Sequence, residues 1–381
     1  MRIGILTLPL HTNYGGILQA YALQTALERM GHDVVVFQND YMGIKRFPSW
    51  KMPIIWFKRL YRKCVTNRNI DIFLEQTRKR EYPILSQNTG RFIQKHIHTY
   101  RVNQLYDLSI AEFDAIIVGS DQIWRPAYVE KMWNTDIQDA FLRFAKDLDI
   151  KRIAYAVSFG VDDWYFTPQE TAECKQLVHL FETVSVRENS GVKLCMDNLN
   201  ISAKQMLDPT MLLTREDYVG LLDLKKKKHD SEILFSYILD NSPEKNNLVM
   251  RIAEDNRMRI EQITINQDKS VSVEARIIPS VEEWLESFYN ADMVATDSFH
   301  GCVFSIIFGK PFIAIGNVGR GLSRFTSLMN LFNLQNNLLL NSTDYSNARS
   351  YQLPNQLVER LSFLQEESLE YLSNSLNGLK D

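Results

Sequence analysis

The sequence predicts an α/β protein made of two doubly wound domains facing one another across a cleft. Three observations carry this. Short apolar runs alternate with segments of helical period along most of the chain. The alternation comes in two successive series, separated by a polar run that includes Lys225 to Lys228. The length of 381 residues, with 45% hydrophobic and 23% charged side chains, suits an ordinary globular protein of two domains.

Each element follows from its residues. Arg2 to Leu8 reads as a buried strand, and residues 9–16, PLHTNYGG, as a loop. Ile17 to Met30 carries apolar residues at helical spacing, with Gly31 as the residue that closes the helix. Val34 to Phe37 is the next strand, so the unit is βαβ and the sheet parallel. Residues 40–110 are basic and aromatic without a clean period, and read as an insertion of short helices. The sheet resumes at Asp114–Val118, Arg152–Val157 and Val184–Arg187, with helices at Thr167–Glu182 and Asn189–Met196. Asp208-Pro209-Thr210 stops a further short strand. In the second series, strands are expected at Ile233–Leu239, Arg259–Ile265, Asp292–Thr296 and Pro311–Ile315. Helices are expected at Glu244–Asn256 and His300–Phe308, with another opened by a capping box at Ser280–Glu283. Residues 354–376 form a long amphipathic helix. The domains are then 1–218, 219–345 and a terminal helical segment 346–381.

Composition excludes several classes. A net charge of −3 provides no basic field for nucleic acid. No run reaches the roughly 18 to 20 apolar residues of a membrane span, and the first residues are too short for a signal segment. Cys64, Cys174, Cys195 and Cys302 lie far apart with no CxxC pair, which speaks against a zinc ribbon or a thioredoxin-type site. A cytoplasmic protein with buried, reduced thiols is expected. Residues 51–68, KMPIIWFKRLYRKCVTNR, mix aromatics with Lys58, Arg59, Arg62, Lys63 and Arg68. They read either as a solvated helix face or as a peripheral contact with an anionic membrane surface, on its inner face in the cell.

Ligands of doubly wound sheets bind beyond the carboxyl ends of the strands, so the segments just after strands are the candidates. In Thr296-Asp297-Ser298-Phe299-His300-Gly301 a strand ends, Ser298 suits the helix N-cap, and His300 falls in the first turn. A histidine beside free helix amides can hold an anion and donate a proton to it. It can equally cap or pack at a domain surface. Asn13, Tyr14, Gly15 and Gly16 supply flexible backbone after the first strand, without a GxGxxG or GxxxxGK[ST] fingerprint. Gly119, Ser120 and Asp121 follow another strand, where Asp121 is a helix cap or a proton acceptor. Arg187 ends a strand and suits bidentate recognition of a carboxylate or phosphate, or a pairing with Glu188. Arg320 and Arg324, among glycines before a helix, read as an anion clamp or an ordinary helix start.

The stretches NYGGILQAYALQTAL (13–27), VGSDQIW (118–124), SVRENS (185–190), LDPTMLL (207–213) and DSFHGCVFSIIFGKPFIAIGN (297–317) together resemble the polysaccharide pyruvyl transferase family. The resemblance covers about residues 1–340. It implies a GT-B-like fold of two Rossmann-like domains with a C-terminal helix returning to the first. It implies transfer of pyruvate from phosphoenolpyruvate, as a ketal, to two hydroxyls of a sugar, here expected to belong to a surface polysaccharide or its lipid-linked precursor. It implies His300 as acid/base and Arg187 as a phosphoenolpyruvate ligand, with the surrounding Ser298, Phe299 and Gly301 at the substrate. Many relatives carry Arg where this chain has Ser298, and a GGGNxGD-like first loop where it has NYGG. Arg320 or Arg324 is expected to replace the missing cation, and Asp121 the missing base. No cofactor and no metal are called for. Two other readings stand beside this one. A GT-B glycosyltransferase acting on a nucleotide sugar would need a ribose-binding carboxylate, with Glu283 or Asp292 as candidates. A non-catalytic member would bind saccharide alone.

Overall fold

The computed structural model describes residues 1–45, 47–66, 70–119, 121–224, 231–263, 268–316, 321–346 and 351–378. Arg68, Ser120, Arg320 and the Lys225–Lys228 run lie outside the described residues.

The first half is a parallel sheet of β1 (Arg2–Leu6), β2 (Asp33–Gln38), β3 (Thr99–Arg101), β4 (Ala115–Gly119), β5 (Lys151–Val157), β6 (Thr183–Val186) and β7 (Lys204–Gln205). Its order is β3-β2-β1-β4-β5-β6-β7. The central strands are buried along nearly their whole length, as a parallel sheet covered on both faces requires. Helices α1 (Tyr14–Arg29), α2 (Met52–Thr66), α3 (Leu74–Leu85), α4 (Gln87–His96), α5 (Pro126–Met132), α6 (Pro168–Val178), α7 (Asn189–Leu194) and α8 (Arg215–Val219) belong to this half. The segment 40–110 contains short helices, as its pattern predicts, but it also returns β3 to the sheet edge.

The second half is a parallel sheet of β8 (Ile233–Tyr237), β9 (Arg259–Gln262), β10 (Met293–Thr296), β11 (Phe312–Ile315) and β12 (Leu338–Leu339). Its order is β12-β11-β10-β8-β9. Helices α9 (Pro243–Asn256), α10 (Val281–Asn290), α11 (Phe299–Ile307) and α12 (Leu322–Phe332) accompany it. The capping box opening α10 forms as read: Ser280 Oγ accepts from the Glu283 amide, and a Glu283 carboxylate oxygen accepts from the Ser280 amide.

Finally α13 (Leu357–Asn377) lies on the first half. Gln365 Nε2 donates to the carbonyls of Met211 and Leu213, and Lys151 Nζ donates to the Leu376 carbonyl at 2.5 Å. One apolar cluster runs through both halves. Tyr14 of α1 stacks on Trp284 of α10, 5.4 Å between centroids, and its hydroxyl donates to the Pro279 carbonyl.

Some elements differ from the sequence expectation for local reasons. α6 ends at Val178 rather than Glu182, because the Glu182 amide already donates to the Arg152 carbonyl as the chain joins the sheet. α7 continues from Cys195 to Leu199 as a π-helical turn, closed by Asn200 at φ +56°. Ala156 sits in the left-handed region at φ +46°, where β5 and β6 slip register. Ser185 Oγ repairs that gap by accepting from the Ala156 amide and donating to the Ala154 carbonyl. Cys174, Cys195 and Cys302 are buried as expected, whereas Cys64 is exposed on α2. A thiol on a helix that buries nothing has no core to enter.

Candidate active site

Both sheets reverse strand order at one point, between β1 and β4 in the first and between β8 and β10 in the second. A crevice forms beyond the carboxyl ends of strands at such a point. Here the two crevices merge into one cavity of about 560 Å³, lined by the loops after all four of these strands.

His300 lines this cavity from the first turn of α11. The turn is built locally. Ser298 caps it, its Oγ accepting from the Gly301 amide, while the Ser298 amide donates to Thr296 Oγ1. Gly301 is required by packing: a Cβ there would lie 2.2 Å from Thr296 Oγ1. Its amide is spent on the cap, so Gly301 shapes the site without facing the ligand space. Asp297 is fully buried and accepts from the amides of Leu239 and Asp240 and from Lys245 Nζ, which fixes the loop after β8.

The imidazole of His300 is only 12% exposed and is held on two sides. Its Nε2 is buried without a hydrogen bond, 3.7 Å from Asp208 Oδ2. Its Nδ1 edge lies against Gly15, so close that a Cβ on Gly15 would fall 2.1 Å from Nδ1. Glycine at 15 is therefore what lets the ring stand at the meeting of the two halves. The first turns of α1 and α11 come together here, and both present the positive end of a helix to the cavity.

Asp208 is the partner that the sequence reading overlooked, having taken Asp-Pro-Thr as a strand stop. Its Oδ2 accepts from Gln19 Nε2 at 2.6 Å and from Arg187 Nη1 at 2.8 Å. Its Oδ1 accepts from the Thr210 amide and hydroxyl. Burial alone would raise its pKa, but His300, Arg187 and Thr210 outweigh that and hold the carboxyl well below the usual carboxylate range. The group is thus an anion behind the imidazole, 3.7 Å from its Nε2.

Arg187 ends up deeper than its position after a strand suggests. It is buried, pairs with Asp208, lies 3.7 Å from Glu188, and its guanidinium stacks on Phe299 at 4.5 Å. It does not line the cavity; Phe299 lies between. Arg324, in the first turn of α12, also approaches that ring, at 5.9 Å, and does line the cavity. Burial and then the nearby Arg187 charge push its pKa down to about 10.

On the opposite wall Asp121 is buried at φ +49°. It is not a helix cap: α5 begins at Pro126, with Arg125 at the N-cap. Left-handed backbone at a residue other than glycine costs about 1–3 kcal/mol, and such residues gather at functional sites. Asn13 Nδ2 donates to Asp121 Oδ2 at 3.5 Å, and Gly16 lies close enough that a Cβ would come within 3.8 Å of the same oxygen. Tyr14, by contrast, uses its hydroxyl on Pro279 and joins the halves.

Three further basic residues, His11, Arg125 and Lys131, line the cavity, and the sequence reading gave none of them a role in the site. Burial pushes the His11 imidazole down to about 4, opposed by Asp121 and reinforced by Lys131. The rule of looking just past strand ends reaches His11, in the loop after β1; Lys131 projects from a helix and obeys no such rule. Among the described residues, no three His, Cys, Asp or Glu side chains gather as a metal site. The two ribose-binding candidates are engaged elsewhere: Glu283 in the capping box, and Asp292 Oδ2 accepting from the Ile233 amide.

Two parallel-sheet halves meeting at a cleft, with a terminal helix crossing back, make this a GT-B-like protein. Its fold is shared with the UDP-GlcNAc 2-epimerase of Neisseria meningitidis, at a TM-score of 0.51 with 10% identity and 99% of each chain covered. A UDP-GlcNAc 2-epimerase from Methanocaldococcus jannaschii follows at 0.47 and 14% identity, with 98% of this chain and 99% of that one covered. Among curated proteins none matches the chain in sequence. The family model for polysaccharide pyruvyl transferases matches residues 13–318, and the chain belongs to that family.

Proposed function

We propose that this protein transfers pyruvate from phosphoenolpyruvate to a saccharide, forming a cyclic ketal across two of its hydroxyls. The family supplies the transferase class. The observation that carries the finer reading is the seat of His300, at the cavity, backed by the Asp208 carboxylate and pressed against Gly15.

Phosphoenolpyruvate carries a carboxylate and a phosphate. The positive ends of α1 and α11, with Arg324, Arg125 and Lys131, are the groups suited to hold them. Arg187 acts one layer behind, keeping Asp208 ionised and Phe299 in place. His300, protonated, donates to the methylene carbon, which becomes a methyl group. C2 turns electrophilic, and a saccharide hydroxyl bonds to it. That hydroxyl's proton passes to Asp121 or to the now neutral His300. The C2–O bond to phosphate breaks and phosphate leaves with the bonding pair. The second hydroxyl then closes the ketal and gives up its proton. One phosphoenolpyruvate and one diol yield one ketal and one phosphate.

The test is incubation with phosphoenolpyruvate and a panel of free and lipid-linked glycans. Phosphate release coupled to a pyruvate mass increment on a glycan is expected. Thermal stabilisation by nucleoside diphosphates and not by phosphoenolpyruvate would overturn the proposal in favour of nucleotide-sugar chemistry.

A further inference from the structure

We propose that α2 is a membrane-surface helix that lies flat on an anionic lipid bilayer. The helix buries none of its residues. Its inner side is fixed to the insertion: Trp56 packs edge-on against Phe73 at 5.1 Å, and the Arg59 guanidinium makes a two-bond fork with Glu75. On the side away from Trp56 and Arg59, Ile54, Phe57, Tyr61 and Val65 are spaced so that they form one stripe along the helix, its Ile54 end bordering a hollow shared with Glu130 and Asp136. The four stripe residues are 54%, 69%, 62% and 63% exposed, and Trp50, just before the helix, is 71% exposed. A continuous apolar stripe turned to water marks a contact surface.

Charge selects the partner. Residues 51–66 hold five Lys and Arg and no Asp or Glu, in a chain whose net charge is −3. At helical spacing Lys58 and Arg62 run along one flank of the stripe, with Lys51 in line before the helix. Aromatic and aliphatic residues beside a row of cations suit the boundary between acyl chains and anionic headgroups. A second copy of the chain is disfavoured, because it would set one all-cationic helix against another.

The helix is not remote from the site. Ile54, Ile55 and Lys58 of α2 line a hollow with Glu130 of α5, and α5 also carries Tyr128 and Lys131 of the cavity wall. A bilayer under α2 would therefore bring a lipid-linked saccharide near the cleft. This purpose rests on the pyruvyl-transfer reading; the lipid contact itself does not.

The experiment is co-sedimentation of the full chain with phosphatidylcholine vesicles, with and without phosphatidylglycerol. The protein is expected to sediment with the anionic vesicles alone and to be released by salt. The double variants Phe57→Ser/Tyr61→Ser and Lys58→Glu/Arg62→Glu should each weaken partitioning at least about tenfold, with unfolding temperature unchanged. Unchanged transfer to a free glycan in these variants would support a purely locating role. Equal sedimentation with both vesicle types, no sedimentation with either, or variants that bind like the parent would overturn the proposal. So would a dimer that the Phe57→Ser/Tyr61→Ser variant dissociates.

Discussion

Gly15→Ala adds one methyl group at the point where the two halves touch. Its Cβ would lie 2.1 Å from His300 Nδ1 and 2.5 Å from two ring carbons. To go from 2.1 Å to an ordinary contact of 3.4 Å, the ring must retreat by about 1.3 Å. Whether it moves towards Asp208, into the cavity or out of the first turn of α11, it leaves its present seat. A displacement of about 1 Å at a reacting group can cost about a hundredfold in rate, so kcat should fall by at least that factor. Backbone strain is not the cause: Gly15 is not in the left-handed region, and alanine is the better helix former by about 1 kcal/mol. Gly16→Ala is the matched control for folding, since its Cβ would meet Asn13 at 3.4 Å and nothing nearer. That variant should be as stable as the parent or slightly more so. The assay is phosphate release from phosphoenolpyruvate with a competent acceptor, alongside thermal unfolding. A Gly15→Ala protein that folds and turns over at the parent rate would refute the claim that the ring must stand against residue 15.

His300→Ala should abolish ketal transfer in a protein that still folds; a variant retaining full activity would remove the imidazole from the mechanism. Asp208→Asn and Arg187→Ala each break a buried pair and leave a partner charge uncompensated, at a cost of about 3–5 kcal/mol read by denaturant unfolding. If Asp208→Asn still folds, its rate should drop and the pH dependence of kcat should shift, because the anion behind Nε2 is gone. His11 gives a pH signature. Its value near 4 lies below the unfolded value of 6.5, so between the two the unfolded chain holds a proton that the fold does not. Stability should fall as pH drops from 6.5 to 4, and His11→Gln should flatten that slope in thermal scans. Asp208, held below the carboxylate range, adds stability that is present above about pH 4 and is lost on further acidification.

The layered fold was legible because buried parallel strands are short apolar runs, and β1, β4, β5 and β10 are such runs. Caps were legible for the same local reason: Ser280 and Ser298 act within three residues of themselves. β3 was not, since three residues pairing only through Val36 to Gln38 leave no periodic trace. Nor could the setting of His300 be read. Asp208 is 92 residues away in the chain, and its other partners, Gln19 and Arg187, are 189 and 21 residues from it. Arg187 illustrates the limit best. A strand end was a correct placement, but only the stacking of Phe299 from the other half decides that the guanidinium faces a carboxylate rather than the cavity.

Asp208 and Gly15 come from one half and His300 from the other, so on the proposed mechanism neither portion would hold a working acid on its own. Any hinge motion that parts the lobes would strip the imidazole of its counter-ion and its backstop in a single stroke, turning proton donation off while the entrance widens. A chimaera grafting one relative's leading portion onto another's trailing portion would have to match at this seam before it matched anywhere else.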